Sequence, residues 1–250
     1  MKKLLVAVVA SIAVSSGALA ANNASDNAST ANYPGGTWNT GSNGGTGFGS
    51  WTLTSTPAGG FAGSYIEGTA IGNPAFGIFS GGNNAATMLA LRPFTGGGLT
   101  AGQSFSVTIG NTSIINNPGQ IGLSLMSGSS ARWTLKFVGG GANWLLNDGG
   151  TDFSSGQAYA ANTPLTLTFT YNGGSSYSYT FGTGSGINYT ATADISNLNG
   201  VQFFSTNQGA DQNMGINNLS VVPEPSTYAL LALSAVAFGV YLARRRRRFF

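Results

Sequence analysis

The feature that most constrains this chain is the alternation of apolar and hydroxyl side chains in short runs. Leu165, Leu167, Phe169 and Tyr171 alternate with Thr166, Thr168 and Thr170, so a two-residue period puts the large side chains on one face and the threonines on the other. The turn sequence Asn172-Gly173-Gly174-Ser175-Ser176 separates this run from Tyr177-Ser178-Tyr179-Thr180-Phe181, and the pair predicts a β-hairpin. Ser104 to Ile109 alternates in the same way, with Phe105, Val107 and Ile109 inward. Strands are also predicted at 49–54, 63–67, 75–79, 88–92, 121–126, 132–138, 142–146, 200–205 and 215–222. No long helical period appears between the two ends. Sheets with one apolar face must bury that face against another layer, so the chain is expected to be all-β: a two-sheet antiparallel sandwich of the jelly-roll or lectin-like kind. The absence of a fixed repeat period argues against a β-solenoid.

Composition narrows the chemistry. The 250 residues include 39 Gly, no Cys and no His, and only 7% are charged. There is therefore no thiolate and no imidazole to act as nucleophile, base or metal ligand. The formal charge of +3 comes from the ends. Between residues 21 and 222 the basic residues are Arg92, Arg132 and Lys136, against Asp26, Glu67, Asp148, Asp152, Asp194 and Asp211, so three positive charges meet six negative ones and this stretch carries −3. Nucleic acid is not an expected partner, because neutralising phosphates requires a basic surface.

Both ends read as addresses. Lys2 and Lys3, the apolar run Leu4 to Val14, and Ala18-Leu19-Ala20 have the three parts of a secretory signal peptide over residues 1–20, with signal peptidase releasing a mature start at Ala21. Residues 21–31 (ANNASDNASTA) are small and polar and are expected to form a flexible leader. At the other end, Val222-Pro223-Glu224-Pro225-Ser226-Thr227 precedes an apolar run from Tyr228 to Ala243, which stops at Arg244, Arg245, Arg246, Arg247 and Arg248. As a helix that run measures about 24 Å, short of a full bilayer core but within reach once arginines snorkel. The arginine block is held cytoplasmic by the positive-inside rule, which puts the body outside, the orientation the signal peptide also demands.

Proline-glutamate-proline, one short apolar helix and a terminal arginine cluster, in that order at the end of an exported chain, resemble the PEP-CTERM sorting signal. The resemblance implies an envelope or extracellular protein whose C-terminal segment (223–250) is processed by exosortase, a membrane-embedded protease, after a stage as a single-pass membrane precursor. Pro223 and Pro225 fit that role, since each biases the residue before it away from helix and keeps the segment extended outside the membrane. Ser226 or Thr227 can cap the helix that follows. An uncleaved anchor is the alternative reading. The body, residues 32–222, also resembles domains that precede this signal in other exported bacterial proteins. The similarity lies in Trp38-Asn39-Thr40-Gly41-Ser42-Asn43-Gly44-Gly45-Thr46-Gly47-Phe48-Gly49, Arg92-Pro93-Phe94-Thr95-Gly96-Gly97 and Gly215-Ile216-Asn217-Asn218-Leu219. It implies a shared sandwich and no known activity.

Catalysis is not expected. Glycoside hydrolysis needs two carboxylates across the scissile bond, and Glu67 is the only Glu of the body. No serine sits in a Gly-x-Ser-x-Gly setting, and the Gly-rich stretches lack the Lys and helix of a phosphate loop. Asp148 and Asp152 lie in Asn147-Asp148-Gly149-Gly150-Thr151-Asp152, where turn chemistry is the first reading and a structural Ca²⁺ site the second; Asp211 is a further candidate ligand. No other cofactor is expected. Of the four tryptophans, Trp133 shares a face with Leu135 and Phe137 and belongs to the core, whereas Trp38 and Trp144 are the candidates for stacking on sugar rings, with packing the first reading for Trp38. Arg132 and Lys136, on the face opposite Trp133, could meet an acidic polysaccharide. The expected function is therefore a non-enzymatic exported component of the envelope or extracellular matrix associated with exopolysaccharide. The alternative is a lectin-like carbohydrate-binding surface module.

Overall fold

The computed structural model describes residues 23–83, 85–113, 118–209 and 213–222. The alternating runs form strands, in chain order β1 (Ala24–Asp26), β2 (Thr52–Thr56), β3 (Phe61–Thr69), β4 (Gly72–Gly81), β5 (Thr87–Pro93), β6 (Ser104–Asn111), β7 (Gln120–Ser127), β8 (Ser130–Val138), β9 (Asn143–Asn147), β10 (Phe153–Ala158), β11 (Leu165–Gly173), β12 (Ser176–Phe181), β13 (Ile187–Thr190), β14 (Gly200–Thr206) and β15 (Met214–Val222). They make two sheets. One runs β13-β12-β11-β6-β15-β4-β3, with β1 added on β15; the other runs β10-β9-β8-β7-β14-β5-β2. The pairings are antiparallel, and the expected hairpin is β11–β12, with Phe169 opposite Tyr179. The all-β, two-sheet sandwich read from the sequence is the architecture found.

The core lies between the sheets. Phe105, Val107 and Ile109 of β6 and Leu167 and Phe169 of β11 face Leu123, Leu125, Trp133 and Leu135 of the opposite sheet, all fully buried. Burying a side chain of this size contributes about 1.5–3 kcal/mol, so the alternation itself supplies the main cohesive force. A buried hydrogen bond between the hydroxyls of Ser80 and Ser205, 2.7 Å long, also crosses the layers.

Three strands escaped the sequence reading. The expected flexible leader is a correction: Ala24–Asp26 is a strand paired with β15, and Ala24, Asp26 and Ala28 are buried. Its cohesion comes from backbone pairing and a buried ion pair, neither of which leaves a hydrophobic period. β10 and β13 end their sheets, and each buries little, so their apolar pattern is weak. β15 itself changes partner midway. Met214–Ile216 pair with β4, the register slips between Asn217 and Ser220, and Leu219–Val221 pair with β1 on the same side. Asn218 takes a left-handed φ of 52° in this bulge, a conformation Asn tolerates better than most residues.

Candidate functional site

Because β1 and β15 are antiparallel, with Ala24 opposite Val221, the chain enters and leaves the body at the same end. The seam is clamped from inside. Asp26 accepts hydrogen bonds from the Arg92 guanidinium at 2.9 Å and the Tyr33 hydroxyl at 2.6 Å, and Tyr33 in turn accepts one from the Trp51 indole at 2.8 Å. Arg92 also donates to the carbonyls of Ser42 and Gly44, and it lies over the Trp51 ring, 4.9 Å from its centre. Burial pushes the Asp26 carboxyl up against the pull of Tyr33 and Arg92, pushes the Tyr33 phenol up, and pushes the Arg92 guanidinium down. These groups are structural: all are enclosed. The processing residues expected beyond the seam, namely Ala18, Ala20 and Ala21 on one side and Pro223, Glu224, Pro225, the 228–243 helix and Arg244 to Arg248 on the other, lie outside the described residues, as does Asp211.

Both candidate sugar-stacking tryptophans are interior. Trp38 packs on Trp51 and Phe76 at centroid distances of 5.0 and 4.8 Å. Trp144 is buried beside Phe137 and Tyr159 and borders a cavity of about 60 Å³ with Asn111 and Gln157, well below the size of an ordinary small-molecule pocket. The polar loop sequence around Trp38 hid the aromatic residues packed beneath it.

The two loop carboxylates part company. Asp148 turns inward to accept from the Tyr177 hydroxyl at 3.0 Å, while Asp152 pairs with Lys136 at 2.7 Å and accepts from Asn147 at 2.9 Å. Burial raises the Asp152 carboxyl, but Lys136 and Asn147 outweigh it and hold the group below the ordinary range. No cluster of three or more potential metal-binding side chains of the His, Cys, Asp and Glu types occurs among the described residues.

The outer face of the eight-stranded sheet carries what the sequence reading missed. At its β3 end, aromatic and glycine residues alternate reciprocally on adjacent strands. Phe61 stands opposite Gly81, Phe79 opposite Gly63, and Tyr65 opposite Gly77. A Cβ on any of these glycines would fall 2.2–2.6 Å from the tip of the facing ring, so the rings occupy space that only glycine leaves open. The Phe61–Phe79 and Phe79–Tyr65 centroids are 6.2 and 6.1 Å apart, with planes inclined by 37° and 38°. Phe61 is 38% exposed, and Phe79 and Tyr65 are half-buried. The signal was present as Phe-x-Gly-x-Tyr facing Gly-x-Phe-x-Gly; it becomes legible only once the two strands are known to pair. Further across the same sheet, Ser25, Ser220, Ser106, Thr168 and Thr180 stand side by side, one hydroxyl per strand and none of them charged.

The fold defines the class: a two-sheet antiparallel β-sandwich of the jelly-roll or lectin-like kind. The chain ends in the PEP-CTERM protein-sorting motif, matched over residues 221–248, which makes it an exported protein held at the membrane before processing. No helix among the described residues is long and apolar enough to cross a membrane. No curated protein matches the chain in sequence. Among solved structures, one from work on gut-microbiota endo-acting O-glycanases that initiate mucin breakdown is similar over 80% of this chain and 98% of its own, at 9% identity and a TM-score of 0.54. A sialidase is similar over 75% of this chain but only 19% of its own, at 11% identity and a TM-score of 0.54. Caenorhabditis elegans galectin LEC-6 is similar over 52% of this chain and 88% of its own, at 13% identity and a TM-score of 0.42. At these identities the likeness to the first two establishes the fold and nothing finer.

Proposed function

We propose that this is a non-catalytic component of the cell surface or extracellular matrix, delivered by signal peptidase and exosortase, whose sandwich associates with exopolysaccharide. The observation that carries the reading is that the sorting motif starts at residue 221, within β15, so the whole sandwich is delivered wherever that motif is processed. The single-pass precursor, with its arginine tail inside and its body outside, belongs to the same proposal. The outer hydroxyl row and the scarcity of charge suit a neutral, hydroxyl-bearing partner. The lectin-like alternative is favoured by the ring row on β3 and β4. The test is fractionation of the producing cell with and without its exosortase. The body is expected in the envelope or matrix fraction, shortened at the C-terminus and released by depolymerising the exopolysaccharide. Recovery of the intact arginine tail, or no release by the depolymerase, would overturn the proposal.

A further inference from the structure

We propose that the outer face of β3 and β4 is a glycan-binding platform on which Phe61, Phe79 and Tyr65 stack against successive rings of an extended, neutral polysaccharide. The inference deepens the polysaccharide association proposed above and rests on it.

Three observations converge on that occupant. First, the rings form a line rather than a cluster. Phe61 and Tyr65 lie four residues apart on β3, and Phe79 enters between them from β4 opposite Gly63. Neighbouring centroids about one sugar residue apart, with modest tilts, suit a chain of pyranose rings whose C–H faces lie on the aromatic faces. Second, the glycines lower the floor. With Gly63, Gly77 and Gly81 beneath them the rings lean over the neighbouring strand, where an alanine would force each ring tip away. Shielding glycine backbone explains bulky side chains here; it does not by itself ask for three aromatic rings in line with one of them 38% exposed. Third, the charge selects the ligand. Neither β3 nor β4 contains Lys or Arg, and their one ionisable acid is Glu67, two residues from Tyr65. An acidic polymer would meet repulsion with no compensating cation, so the platform takes a neutral chain. Because β3 ends the sheet, nothing in the sheet order lies beyond it to block a polymer running past the rings.

The experiment is affinity electrophoresis of the purified full chain in gels containing barley β-glucan, glucomannan, polygalacturonate or the producer's own exopolysaccharide. The wild type is expected to be retarded by a neutral glycan and not by polygalacturonate. Tyr65→Ala and Phe79→Ala should each weaken retardation by about tenfold, since each removes a ring's contact area. Tyr65→Phe should retain binding, and Phe61→Ala, at the most exposed ring, serves as the variant least able to disturb folding, with thermal melting run on each. Retardation that is unchanged in all three alanine variants overturns the platform while leaving polysaccharide association standing. No retardation of the wild type in any gel, the producer's exopolysaccharide included, overturns both. Retardation by polygalacturonate alone overturns the neutral class, and concentration-dependent dimerisation abolished by Phe61→Ala would assign the face to a second copy instead.

Discussion

Asp26 and Arg92 form a 2.9 Å ion pair in which neither side chain is exposed, and the pair joins β1 of one sheet to β5, the strand next to the β2 edge, of the other. Its carboxylate is further held by Tyr33, its guanidinium by two backbone carbonyls and the Trp51 ring. A buried charge left without its partner is far costlier than a missing pair. Asp26→Ala and Arg92→Ala are therefore each expected to destabilise the body by about 3–5 kcal/mol, lowering Tm by roughly 6–20 °C for a domain of this size. Replacing both residues by apolar ones of similar volume should cost much less than the sum. Denaturant melts of the two single variants and the double variant check this, and additivity would show that the two residues act independently.

That pair also marks where the sequence stops being legible. The strands with clean two-residue alternation, such as β6, β8, β11 and β12, were readable because burial of one face imposes the pattern. β1 was not: of its three residues, Ser25 is exposed and Asp26 is buried by pairing, which inverts the usual rule that charge means surface. Trp38 was ambiguous for a related reason, since its neighbours in sequence are polar while its neighbours in space are Trp51 and Phe76. The ring row on β3 and β4 is a property of two strands in register and is invisible in either one alone. The sorting signal, by contrast, is read by other proteins as linear sequence, and so it was legible without any fold.

Two glycines that look equivalent in sequence are expected to differ sharply. At Gly122 an added Cβ would lie 2.2 Å from the Leu135 carbonyl oxygen and 2.8 Å from the Lys136 Cα, both backbone atoms of the paired strand. Gly122→Ala must push β7 and β8 apart, and a loss of about 1–3 kcal/mol or more is expected. At Gly77 the obstacle is the Tyr65 ring tip, which can swing away. Gly77→Ala should leave stability closer to wild type while changing the near-ultraviolet circular dichroism of the displaced ring. Equal losses in the two variants would contradict the assignment of the Tyr65 ring as the movable partner.

Tyr65 offers a spectroscopic handle. Burial, and after it the nearby Glu67 charge, push its phenol from 10.0 up to about 12. Its folded-state value exceeds its unfolded one, so the unfolded chain releases its proton first as pH rises. The stabilisation is complete below pH 10 and is lost between about 10 and 12. Phenolate absorbance should show a late-titrating tyrosine that is missing in Tyr65→Phe. Glu67→Gln should bring that titration earlier by removing the smaller of the two causes. No movement on Glu67→Gln would assign the shift to burial alone.

The opposite sign applies to Asp152. Its carboxyl is held below the ordinary value of 3.8 by the Lys136 and Asn147 contacts, in spite of the burial that raises it. The folded-state value is depressed, so the contribution is present above the unfolded value near pH 4 and is lost as pH falls through the folded one. With Lys136 and Asp152 side chains 21% and 35% exposed, solvent screening limits the pair to under about 1 kcal/mol. Lys136→Met should therefore lower Tm by only a few degrees at pH 7, and the difference from wild type should shrink as pH falls below the ordinary carboxylate value and in strong salt. The same variant separates two roles for this lysine. Its ammonium is already engaged by Asp152, on a different sheet from the ring row, so Lys136→Met is expected to leave retardation by neutral glycans unchanged. A loss of retardation in Lys136→Met with Tyr65→Ala intact would move the glycan contact to the outer face of the seven-stranded sheet.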